Sequence, residues 1–138
     1  MQLIKAFILC IIKHWKQKDK AGKRYVYHPI YVMLNVKGYK EKVVALLHDI
    51  VEDTDVTIDK LKKAGFSKEI VKAVEVITKK KNQEYFRYLT KVKNNKIAKS
   101  VKIEDLKHNM NLKRIKNISG KDYKRFEKYK EALKILEN

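Results

Sequence analysis

The sequence predicts an all-α bundle of about seven or eight helices, on three observations. One proline and four glycines in 138 residues leave little room for long loops or flexible linkers. Apolar residues recur at helical spacing, clearest near the end in Tyr123, Phe126, Tyr129, Ala132, Leu133 and Leu136. No stretch alternates long enough to read as a strand. With 44% apolar residues and no composition shift or repeat, the chain reads as one domain over 1–138, large enough for a real core.

The elements follow in order. Residues 2–18 carry the apolar run "LIKAFILCII" and predict a first helix. "HPIYVMLNVK" starts a second, with Pro29 tolerated in its first turn. "YKEKVVALLHDIVED" predicts a third, over 39–53. "TIDKLKKAG" is a short fourth, with Thr57 as N-cap and Gly65 as its stop, and "SKEIVKAVEVIT" a fifth capped by Ser67. "NQEYFRYLTKVKN" gives a sixth, residues 95–116 a long seventh, and "GKDYKRFEKYKEALKILE" the last.

Composition excludes several classes of protein. The N-terminal apolar run is too short to span a bilayer, and "KHWKQKDK" follows it where a signal peptide would place small residues for cleavage. The lone Cys10 cannot form an internal disulfide and sits in an apolar stretch, which fits a buried thiol in a reducing, cytoplasmic setting. The formal net charge is +18, yet the only arginines are Arg24, Arg87, Arg114 and Arg125, and the lysines are spread along the chain. Such dispersion reads as a solvated surface, and it can also concentrate an anionic small substrate such as a polyphosphorylated nucleotide. Nucleic acid as the main partner is disfavoured, because arginine is scarce and no aromatic-rich or glycine-rich RNA motif occurs. Nothing points to a membrane partner, and the oligomeric state is not legible.

Against this basic background, Asp49, Glu52, Asp53, Asp55 and Asp59 crowd into eleven residues after His48. On a continuous helix with His48 at zero, Glu52 falls near ~40°, Ala45 near ~60°, Asp49 near ~100° and Asp53 near ~140°. The opposite arc is apolar. Asp49 and Asp53 are an i,i+4 like-charge pair, which repels. Lysines could offset the repulsion diffusely; a divalent cation, for which His and Asp are acceptable ligands, would do so better. An exposed acidic helix end is the plainer alternative, although acids at a helix C-terminus oppose its dipole. Two further stretches offer ligands. His28 stands just before Pro29 at a helix entry, and Asp105 and Asn109 share a helical face with Val101 and Leu112. An acid in line with an apolar stripe is costly unless paired or ligated.

His, then His-Asp, then Asp, spread over helices in that order, resembles the HD metal-dependent phosphohydrolases. "HWKQKDKAGKRYVYHPI", "ALLHDIVEDT" and "VKIEDLKHNMNL" further resemble the guanosine polyphosphate hydrolase domain of the Rel/Spo alarmone family, small stand-alone type, over roughly residues 5–115. The resemblance implies an HD-domain helical bundle. It implies one divalent ion, manganese first with zinc or iron admissible, held by His28, His48, Asp49 and Asp105. Glu52 and Asp53 would be the catalytic pair acting on the attacking water, with Lys20 and Asn109 facing the nucleotide. The implied activity is removal of pyrophosphate from the 3′ position of guanosine tetra- or pentaphosphate, or of a related nucleotide. A non-enzymatic nucleotide-sensing or nucleic-acid-binding module on the same scaffold is the alternative; the intact Glu52–Asp53 pair favours the enzyme. One departure stands out: Asp19 occupies a position where alarmone hydrolases commonly have Arg, and Asp neither stacks on a base nor forks onto phosphate. Lys23 and Arg24 are the nearby candidates for the missing charge. The nucleotide-transfer domain of alarmone synthetases is not expected in this length of chain.

Overall fold

The structure is a computed structural model that describes residues 1–19, 21–111 and 117–138. Among the described residues it is entirely helical: α1 (Gln2–His14), α2 (Tyr27–Asn35), α3 (Tyr39–Leu47), α4 (Ile50–Asp53), α5 (Ile58–Lys63), α6 (Lys68–Ile77), α7 (Tyr85–Lys93), α8 (Lys96–Asn109) and α9 (Gly120–Glu137). The only extended pairing among them is an isolated antiparallel bridge between Lys18 and Arg24. No described helix is long and apolar enough to cross a membrane.

Two helices organise the bundle. α3 packs against α1, α2, α6 and α8, and α8 packs against α2, α3, α6, α7 and α9. The sequence explains the central place of α3, because Val43, Val44, Ala45, Leu46 and Leu47 form an apolar run that is wholly buried. A helix apolar on all sides belongs inside. α8 contributes Ile97, Ala98, Val101 and Leu106 to the same core, and Asp105 is buried among them.

The expected N-caps are present: Thr57 accepts from the Lys60 amide and Ser67 from the Ile70 amide. α5 stops at Gly65, whose φ of +92° is left-handed backbone that suits glycine. The helix expected without interruption over 39–53 is corrected. It ends at Leu47, and α4 begins after Asp49, whose φ of −107° and ψ of 1° lie in the sparsely populated bridge region. The break comes where the apolar run meets the acids. His48 stays in the core while Glu52 and Asp53 move outward.

Candidate metal centre

His28 enters from the first turn of α2, beside a buried Pro29 that starts the helix. His48 and Asp49 come from the α3–α4 break, and Asp105 from the penultimate turn of α8. Each of the four offers a ligand atom, and these atoms all lie within 4.8 Å of one another. His28, His48 and Asp105 are 2–3% exposed in a chain whose acids are otherwise at the surface or partly exposed, so this is a constructed polar site within the core.

The Asp105 carboxylate is its centre. Oδ1 lies 2.7 Å from His28 Nε2, 3.2 Å from His48 Nε2, and accepts from Asn109 Nδ2 at 3.1 Å. Oδ2 accepts from Lys102 Nζ at 2.9 Å. Burial opposes ionisation of Asp105, yet Lys102 first, and then its contacts with His28 and His48, hold its carboxyl well below the usual range. Lys102 is the reciprocal case: burial disfavours its charge, but Asp105 and its surroundings keep it firmly protonated. Asp49 is pushed well above the usual carboxylate range by burial and then by the Asp105 charge. Its Oδ2 lies 3.1 Å from His48 Nε2 and accepts from the Tyr25 hydroxyl. Two carboxylates, the buried Asp105 ionised and the partly exposed Asp49 resisting ionisation, converge with two imidazole nitrogens. That donor set fits a divalent first-row ion, which would relieve the repulsion between the two acids. His48 is already oriented for this, because its Nδ1 sits 2.6 Å from the Ala45 carbonyl, leaving Nε2 toward the other three.

Of the proposed catalytic pair, Glu52 is exposed on α4 but electrostatically part of the same site. Partial desolvation and Asp53 raise its pKa, while Lys102 and Lys79 oppose the rise. Asp53 is exposed at the end of α4, and its carbonyl accepts from Gln17 Nε2 at 3.1 Å. Gln17 Oε1 is in turn 2.9 Å from Nδ1 of the buried His14, so the end of α1 anchors α4. Asn109, expected to face a nucleotide, is exposed but turns its amide to Asp105. Lys20 lies outside the described residues.

The loop before α2 answers the question posed by Asp19. Its Oδ1 accepts from the amides of Ala21 and Lys23, and its own amide donates to the Lys23 carbonyl. Asp19 therefore shapes the loop that precedes His28. Of the two candidates for the missing charge, Lys23 and Arg24, the latter turns its guanidinium to Trp15, donating to the carbonyl at 2.7 Å and lying 4.2 Å over the ring.

Three participants were not foreseen from sequence. Lys102 carried a signal, since it precedes Asp105 by three residues and so shares its helix face. Tyr25 carried none, because it arrives from a loop. His108, three residues past Asp105 on α8, meets His28, its Nδ1 2.7 Å from His28 Nδ1.

No protein-family model matches the chain. A guanosine-3′,5′-bis(diphosphate) 3′-pyrophosphohydrolase of Aquifex aeolicus is 39% identical over 71 residues, 49% of this chain and 10% of that protein. The enzyme of that name from Spiroplasma citri is 32% identical over 125 residues, 79% of this chain and 16% of that protein. The human protein named guanosine-3′,5′-bis(diphosphate) 3′-pyrophosphohydrolase MESH1 is 39% identical over 85 residues, 56% of this chain and 47% of that protein. The chain thus spans less than half the length of each. A solved structure described as a metazoan ortholog of SpoT that hydrolyzes ppGpp superposes with a TM-score of 0.75 at 24% identity, covering 98% of this chain and 83% of that one. The bundle has the helical HD-domain fold.

Proposed function

We propose that this chain is a single HD-type, metal-dependent phosphohydrolase domain that removes pyrophosphate from the 3′ position of guanosine tetra- or pentaphosphate, or of a closely related nucleotide. The observation that carries the reading is the convergence of His28, His48, Asp49 and Asp105 within 4.8 Å, with Glu52 sensing the same charges from the adjoining helix. The named relatives support the substrate class. His28, His48, Asp49 and Asp105 are the ligands in this reading, and manganese is the ion. When bound, such an ion supplies Lewis acidity to phosphorus oxygens and makes water a better nucleophile.

The remaining work falls to the chain itself. Glu52, whose raised pKa makes it a better base than an ordinary surface glutamate, takes the proton of the attacking water. Asp53 orients that water from the other side of the short helix. Lys102 fixes Asp105 Oδ2, so that Oδ1 is the oxygen presented to the ion. Lys20 and Asn109 are assigned to the nucleotide, and the lysine-rich surface draws the anion in. The buried, lone Cys10 thiol is compatible with a reducing cytoplasm.

The test is a turnover screen with manganese, zinc or ferrous ion against guanosine tetraphosphate and a nucleotide panel, measuring pyrophosphate and phosphate separately. Pyrophosphate release from the tetraphosphate is the expected result. Turnover of no nucleotide with any of these ions would overturn the enzyme reading in favour of a binding module.

A further inference from the structure

We propose that His108 is a positioning residue for the metal centre: clamped by Tyr31, it accepts a hydrogen bond from His28 Nδ1–H and so holds His28 with its bare Nε2 toward the ion. The inference rests on the metal reading above and assigns a role that the ligand set leaves open.

An imidazole can ligate a metal only through a nitrogen that carries no proton, so the proton must be kept on the other nitrogen by an acceptor. For His48 that acceptor is a backbone carbonyl, Ala45 O at 2.6 Å. A carbonyl can only accept, so this orientation is built in. For His28 the partner is a second imidazole. His28 Nδ1 and His108 Nδ1 are 2.7 Å apart, the ring centroids are 4.9 Å apart, and the planes differ by 10°. Near-parallel rings at that centroid separation reach so short an N···N distance only when they lie edge to edge in almost one plane, each nitrogen aimed at the other. That is the geometry of a linear N–H···N hydrogen bond, and a face-to-face stack is excluded.

The ring of His108 is itself held. Tyr31 stacks on its face, with centroids 3.9 Å apart and planes at 15°. Tyr31 lies three residues after His28 on α2, and His108 three residues after Asp105 on α8, so each helix supplies one ligand and one element of the support. On the other side, His28 Nε2 is 2.7 Å from Asp105 Oδ1, within the ligand cluster, so a proton held between them in the metal-free chain would leave when the ion binds. The row Tyr31, His108, His28, Asp105 thus runs from the surface to the centre. Unlike a carbonyl, His108 can serve as acceptor only with its own Nδ1 bare, which places its proton on Nε2.

The experiment uses the intact chain. Manganese affinity is measured by calorimetry on the parent, His108→Leu, which keeps bulk without an acceptor, and His108→Asn, whose Oδ1 falls close to the imidazole Nδ1 position. His108→Leu is expected to bind manganese about 10- to 100-fold more weakly, the usual range for losing a partner of a ligating histidine. His108→Asn is expected to recover most of that loss. A second reading needs no variant: in the zinc-loaded, nitrogen-15-labelled parent, two-bond proton–nitrogen spectra are expected to show the proton of His28 on Nδ1 and that of His108 on Nε2. A proton on His108 Nδ1, or His108→Leu binding manganese as tightly as the parent, would overturn the positioning role while leaving the metal reading intact. A parent that binds no divalent ion would overturn both.

Discussion

Asp105 shows why one residue can organise a site. Its two oxygens meet His28, His48, Asn109 and Lys102, four groups from two helices and a helix break. Of these, Lys102 is the resident positive charge, and its side chain is only 16% exposed. Lys102→Met should destabilise the metal-free protein by up to about 3 kcal/mol, because removing one partner leaves the other charge buried and unpaired. Manganese should then raise the melting temperature more in that variant than in the parent, since the ion takes over the neutralising role without a competing cation. An equal or smaller rise would refute this account of Lys102. Within the same site, Glu52→Gln keeps shape but removes the base. Steady-state turnover should fall about 10²- to 10⁴-fold, the range for a general base, with manganese affinity little changed. Asp49→Asn should lose the ion instead, and the pair of measurements separates catalysis from ligation.

At the scale of the element, the decisive feature is the interruption between α3 and α4. An unbroken helix would carry His48, Asp49, Glu52 and Asp53 round one cylinder. The bridge-region backbone at Asp49 lets two ligands stay inside while Glu52 and Asp53 reach the surface. Gln17 then ties α4 to the end of α1. The N-termini of α5, α6, α7 and α8 carry side-chain caps, and α7 gives a clean titration. The Glu84 side chain accepts from the amides of Phe86 and Arg87, and these bonds hold its pKa below the ordinary glutamate value. A depressed carboxylate contributes stability above its unfolded pKa and loses it as pH falls through the folded one. Urea midpoints should therefore drop less steeply below the ordinary glutamate range in Glu84→Gln than in the parent. Superimposable profiles would mean that the cap contributes nothing to this dependence.

At the scale of the whole molecule, two bulk properties bear on function. An ion bound only by the folded state stabilises it by about 2.7 kcal/mol when present at 100 times its Kd. Chelation should accordingly lower the melting temperature by several degrees, and manganese should restore it; a melting temperature indifferent to both would argue against the site. With a net charge of +18, encounter with a polyphosphorylated nucleotide should be electrostatically assisted. The quotient kcat/KM should fall severalfold as salt is raised from low to high ionic strength, with kcat nearly constant, because screening acts on encounter. Much of this was legible in the sequence. Helical periodicity, scarce glycine and proline, and local caps such as Thr57 and Ser67 depend on neighbours along the chain, so the all-helical bundle and most helix ends could be read directly. His48 with Asp49, His28 and Asp105 stood out as possible ligands, Asp105 because an acid in line with an apolar stripe is costly unless paired, and the resemblance to the HD phosphohydrolases joined them into one set. What no one-dimensional pattern contains is the distance between elements. The break at Asp49, the turning of Tyr25 onto Asp49, the binding of Asp19 to its own loop and of Arg24 to Trp15, and the meeting of His108 with His28 were decided by packing. Each joins groups whose separation in space is set by the helices around them, and only α2, α3 and α8 closing on one another brings those groups within hydrogen-bond reach.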